Sequence, residues 1–143
     1  ARRDIFYRLQ AHGLSFPALA HPSAVVSPSA TIDDGAVVMA HAVINPSAHV
    51  GVGAIINTAS VIEHDNTIGA FAHISPNATL AGSVRVGEGA HVGAGSVAKE
   101  GIAIGAGAVV GAGAVVVYDV ESDQVVMGNP ARPKPAKPKK EIL

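Results

Sequence analysis

An aliphatic or small residue returns at every sixth position without interruption: Ala20, Val26, Ile32, Val38, Ile44, Val50, Ile56, Ile62, Ile68, Ile74, Leu80, Val86, Val92, Ala98, Ile104, Val110 and Val116. Two residues before each stands a small one, usually alanine, as at Ala24, Ala36, Ala48, Ala72, Ala90 and Ala108. Glycine often follows at the next and third-next positions, as in Val92-Gly93-Ala94-Gly95. A period of six is neither helical nor the simple alternation of a hairpin strand. It fits a chain whose unit is one short strand plus a corner turned by Gly, Asn, Asp or Pro. Three units make a triangular coil of eighteen residues, and such coils stack at roughly 4.8 Å, the spacing of neighbouring strands. The expected fold is therefore all-β, a parallel β-helix of about five to six coils; so many in-phase positions argue against a merely low-complexity chain.

Composition agrees with a narrow, regular interior. The chain is 48% hydrophobic but only 3% aromatic and has no Trp, so Val, Ile, Leu and Ala must fill the core. A net charge of −1 supplies no field for nucleic acid or an anionic membrane, although positive charge gathers from Arg132 to Lys140. No cysteine is present, which excludes disulfides, thiolate metal ligands and a cysteine nucleophile and suits a cytoplasmic protein. No apolar run approaches the roughly 20 residues of a membrane span, and no signal peptide is visible.

The organisation divides into residues 1–17, a short helix and linker; 18–119, the β-helix; and 120–143, a C-terminal extension and tail. In the first part Ile5, Phe6 and Leu9 fall on one side of a helix from Arg2 to His12 that Gly13 terminates. In the last, Asp119 to Val126 is expected to leave the coils, followed by a turn at Gly128-Asn129-Pro130 and a Pro/Lys-rich tail with little fixed structure.

An eighteen-residue coil sorts the outward residue before each core aliphatic onto three faces. One carries Val25, Val43, Val61, Thr79, Val97 and Val115; a second carries Leu19, Val37, Ile55, His73, His91 and Val109; a third carries Thr31, His49, Thr67, Arg85 and Ala103. Only the third resembles a solvated surface. The valine column is an apolar patch of the kind that marks association, and packing the first face against the second of a neighbouring copy closes a ring, most simply a trimer. A plain preference of strands for β-branched residues is the alternative.

Histidine is the side chain best suited to general base chemistry near neutral pH. His12, His21, His41 and His49 occupy the helix end, corners or polar sites where solvation accounts for them. His64 differs: it stands at a corner beside the valine face, in Ile62-Glu63-His64-Asp65-Asn66, and a trimer would set it in a cleft between subunits. Spacing alone leaves it balanced between a catalytic and an ordinary corner residue. Gly82 lies eighteen residues on, stacked above it, where an unobstructed amide suits a developing oxyanion. Ala94 and Ala112, likewise eighteen apart, line another corner whose backbone suits a long thin ligand such as a pantetheine arm.

The stretch Ile56-Asn57-Thr58-Ala59-Ser60-Val61-Ile62-Glu63-His64-Asp65 resembles the active-site segment of the bacterial hexapeptide-repeat sugar acetyltransferases that act on nucleotide-linked amino sugars, the PglD-, PerB- and NeuD-like group. Gly69-Ala70-Phe71-Ala72-His73-Ile74-Ser75 resembles its continuation, and Val126-Met127-Gly128-Asn129-Pro130-Ala131-Arg132 the closing signature. The resemblance implies a left-handed winding and a homotrimer with sites between subunits. It implies acetyl-CoA as co-substrate, no metal, and a nucleotide-linked amino sugar as acceptor. It makes His64 the general base, with Asp65 where the family commonly has Glu; Asn57 and His73 line the site, Gly82 contacts the acetyl carbonyl, and Ala94 and Ala112 contact acetyl-CoA. Family members begin with a nucleotide-sugar-binding domain that has no counterpart before Ala1, so the helix is expected to be its remnant. Three rivals remain at this stage: sugar O-acetylation, a non-catalytic trimeric scaffold, and a zinc hydratase resembling the γ-class carbonic anhydrases, which would need a third histidine beside His73 and His91.

Overall fold

The computed structural model describes residues 2–134. From Leu19 to Val116 the chain makes seventeen two-residue strands, one per hexapeptide, which pair in parallel with the strand eighteen residues away and assemble into three sheets. His73 pairs with Ile55 and His91, Thr79 with Val61 and Val97, and Arg85 with Thr67 and Ala103. The sheets are the three faces read from the sequence, called here the histidine, valine and polar faces in the order in which the chain visits them.

The corner conformation recurs as regularly as the strands. Every sixth residue is left-handed, at glycines such as Gly35, Gly53 and Gly95 but also at His41, Ser47, Ala59, Asp65, Phe71, Asn77 and Ser83, whose φ values run from 54° to 61°. These seven residues, and Asp123 at φ 60°, lie in a region that costs an L-residue roughly 1–2 kcal/mol, and their amides each donate to a neighbouring coil, which fixes the corner. Inside, one aliphatic per strand is sealed: Ile44, Ile56, Ile62, Ile68, Ile74 and Leu80 are fully buried, with Ala36, Ala42, Ala54, Ala72 and Ala90 in the second inward position.

The helix spans Arg2–Ala11, and Gly13, at φ 83°, ends it by donating to Gln10 O at 2.9 Å. It lies on the corner between the polar and histidine faces. Phe6 and Leu9 turn inward as expected, but Ile5 is 47% exposed. The Phe6 ring sits 5.0 Å from Phe16 and 5.5 Å from Phe71, centroid to centroid. Arg2 donates to the carbonyls of Gly53 and Phe71. Glycine is needed at 35 and 53: a Cβ there would lie 2.4 Å from the Phe6 ring and 2.4 Å from the Phe71 ring respectively.

At the other end the structure departs from the sequence reading. Residues 119–126 do not leave the coils; Val120 bridges to Ile104 and Val126 pairs with Val110, sixteen residues away instead of eighteen. The last coil is two residues shorter, which breaks the sequence period while keeping the core filled. Arg132–Pro133 then folds back antiparallel on Val125–Met127, with the Arg132 guanidinium 5.5 Å from the Tyr118 ring centre. Most of the Pro/Lys-rich tail lies outside the described residues.

Candidate active site

His64 and Gly82 stand one above the other on the corner between the valine and polar faces, as their spacing requires. A Cβ on Gly82 would lie 2.6 Å from both Cε1 and Nε2 of the imidazole, so only glycine leaves the ring its place. Asp65, which follows in the left-handed conformation, brings its carboxylate back to His64: Nδ1 and Oδ2 are 2.7 Å apart. With Nδ1–H donating to the carboxylate, Nε2 carries the lone pair and faces the Gly82 side. A groove of 660 Å³ opens here, lined by Glu63, His64, Ala81, Gly82, Ser83, Glu100 and Gly101.

The backbone explains why a corner offers donors at all. At the second residue after each core aliphatic the amide has no backbone acceptor, among the described residues. Prolines occupy that position at 22, 28, 46 and 76, where no N–H is missed, and at Thr58 the amide is taken by Asn57 Oδ1 at 2.7 Å. Gly82, Ala94 and Ala112 keep theirs free.

The other predicted residues lie elsewhere. Asn57, Ala94 and Ala112 are on the corner between the histidine and valine faces, and His73 is on the histidine face beside it. Asn57 Oδ1 is held by Thr58, which turns its amide nitrogen to His73 Nε2 at 3.0 Å and puts the ring proton on Nδ1. His73 is stacked on His91, 4.9 Å apart and 11° from parallel, and His91 Nε2 is 2.8 Å from Ser75 Oγ. Partial burial, then the neighbouring His91 and Arg2, hold the His73 pKa below its ordinary value. Among the described residues there is no group of three or more His, Cys, Asp or Glu side chains placed to hold a metal ion, and no helix is long and apolar enough to cross a membrane.

One chain thus brings together His64, Asp65 and Gly82, and separates them across the valine face from Asn57, His73, Ala94 and Ala112. Glu63 and Glu100 in the groove, and the buried Asn66 beneath it, were not singled out from the sequence. The signal for Asn66 was there: the small-residue series is interrupted at this corner.

Comparison with solved structures shows which proteins this β-helix is similar to. PerB from Caulobacter crescentus, in complex with CoA and GDP-perosamine, is 43% identical over 93% of this chain, with a TM-score of 0.92. The acetyltransferase domain of PglB from Neisseria gonorrhoeae is 44% identical over 93%, also at 0.92, and the same domain in complex with acetyl coenzyme A is 44% identical over 92%, at 0.91. Over nearly its whole length the chain is similar to these bacterial sugar acetyltransferases, and it spans 64–65% of the length of the solved chains. Superposition at that level shows that the parallel β-helix is shared with these chains. No protein-family model matches the sequence, and no curated protein does.

Proposed function

We propose that this chain transfers the acetyl group of acetyl-CoA to the amino group of a nucleotide-linked sugar, as a cytoplasmic homotrimer with a site at each subunit boundary. The observation that carries the reading is the His64–Asp65–Gly82 corner, in a chain 42–44% identical to perosamine N-acetyltransferase and the PglB acetyltransferase domain.

His64 Nε2 takes the proton from the amine as its nitrogen attacks the thioester carbonyl. Asp65 holds the imidazole in the tautomer with Nδ1–H and stabilises the imidazolium that forms. Negative charge develops on the former carbonyl oxygen, where the Gly82 N–H donates. The intermediate collapses by breaking the C–S bond, and His64 returns its proton to the departing thiolate. No acyl-enzyme intervenes. Glu63 and Glu100 give the groove a negative lining that favours an amino acceptor over a hydroxyl one, the bound ammonium losing a proton to solvent before its nitrogen attacks.

The separation of the two residue sets supports the trimer: a second copy must bring its Asn57, His73, Ala94 and Ala112 edge to the first copy's His64. Val25 and Leu19, 63% and 61% exposed, and Val97 and Val109, 43% and 37%, are the apolar surface such contacts cover.

The test is thiol release from acetyl-CoA in the presence of nucleotide-linked amino sugars, for this chain and His64→Ala; the protein contributes no thiol of its own. Release that requires both an acceptor and His64 supports the reading. An absence of both acetyl-CoA binding and turnover would sink it.

A further inference from the structure

Elsewhere in the coil the inward position before each strand is a small residue whose amide closes the turn. Ala30 donates to Ser27 O at 3.0 Å, Ala48 to Asn45 O at 3.3 Å, Ser60 to Asn57 O at 3.1 Å, and Ser96 to Gly93 O at 3.2 Å. On the His64 corner the same position holds, in three successive coils, Asn66, Val84 and Ile102, and among the described residues none of these amides makes that bond. All three side chains are buried, at 0%, 0% and 7% exposure. Where the inward side chain is larger, the turn is left open. These three turns are the ones that line the groove.

Two of the released carbonyls have a substitute partner. Asn66 Nδ2 donates to Glu63 O at 2.6 Å and to Ala81 O at 3.0 Å, one in its own coil and one in the next. The buried Ser60 and Ser96 hydroxyls reach only their own turns. The C=O and N–H of a trans peptide lie in its plane and point in opposite directions. Holding the Ala81 carbonyl inward therefore turns the Gly82 N–H outward, beside His64. The flanking backbone is pinned as well: Gly101 N donates to Gly82 O and Ser83 N to His64 O, both at 2.9 Å. Asn66 Oδ1, by contrast, is buried without a partner, a destabilising feature in a core position that alanine fills one coil earlier at Ala48.

We propose that Asn66 is a positioning residue for acetyl transfer: its buried amide replaces the bonds that two open turns lack and aims the Gly82 N–H at the thioester oxygen. This rests on the acetyl-transfer reading above, and a trade of stability for donor alignment is what distinguishes it from a purely structural role.

Asn66→Ala is the test, since Ala48 shows that this corner accepts alanine. The expected result is a melting temperature unchanged or raised, with kcat about tenfold to a hundredfold lower, less than the loss of a whole oxyanion donor. The KM for acetyl-CoA and the shape of the pH profile should hold, because His64 and Asp65 are untouched, and the Gly82 amide resonance should move. A kcat close to that of the unsubstituted protein with the Gly82 resonance in place would overturn the proposal, and so would a joint fall of kcat and melting temperature. If the alanine variant fails to fold, Asn66→Ser, which has native counterparts in Ser60 and Ser96, is judged by the same criteria. Should the unsubstituted protein transfer acetyl to no acceptor, the functional reading fails separately, and an unmoved Gly82 resonance would then overturn the role of Asn66 on its own.

Discussion

Two corners of this prism are built from the same hexapeptide and put to opposite uses. Where the polar face meets the histidine face, Gly35 and Gly53 make room for Phe6 and Phe71, the helix lies across the corner, and Arg2 binds its carbonyls. Where the valine face meets the polar face, Gly82 makes room for His64, no helix among the described residues lies across the corner, and the imidazole is 59% exposed. In each case glycine accommodates a ring from a neighbouring segment. The difference is whether that ring is locked in by other rings or left to meet a ligand, which predicts that substitutions at the first corner change stability and at the second change turnover.

The largest effect is expected at His64. Replacing it with alanine should lower kcat/KM by about 10²–10⁴-fold, the usual weight of a general base, while the melting temperature stays where it was. A clear loss of stability would break the comparison, because it would make this corner structural too.

Paired alanine substitutions at the two glycines sharpen it. Gly82→Ala places a methyl 2.6 Å from the His64 ring, which is exposed and free to swing away, so stability should survive while kcat falls by about 10²-fold. Gly53→Ala places a methyl 2.4 Å from the ring of Phe71, which is only 8% exposed, on a backbone at φ 61°. Overpacking and left-handed strain together should cost about 2–3 kcal/mol in urea unfolding, with kcat per folded molecule unchanged. Equal behaviour of the two variants would remove the distinction.

The faces and the stacking of His64 beneath Gly82 were legible in the sequence because every hexapeptide repeats one backbone conformation; a count of residues becomes a position in space. What broke the count was not legible in the same way. Val120 and Val126 continue the core only because the last coil is two residues shorter, a change the periodic series reads as its end at Val116. Asn66, Val84 and Ile102 interrupt a second series, that of the small inward residues, and following the aliphatics alone passes over them. The contact between Asp65 and His64 depends on a left-handed φ of 59°, which sequence spacing does not reveal. Neither does the division of the site between two corners tell how a second copy completes it.

The smallest effect separates the histidine face from the exposed corner. Burial first, and the adjacent His91 second, keep the pKa of His73 below the ordinary 6.5 in the folded chain. The unfolded chain then binds more protons as the pH drops below about 6.5, so this contribution to stability is flat above that value and is lost as the pH falls towards the lowered folded pKa. Urea midpoints measured from about pH 8 to about pH 5 should show an acid-side decline that is shallower in His73→Gln, and partly relieved in His91→Asn, which removes the second imidazole of the stack. A decline unchanged in both variants would mean that the stack does not feel protonation. A shallower one would show that the face itself holds His73 in its neutral form, able to accept from Asn57 at Nε2, before any ligand arrives.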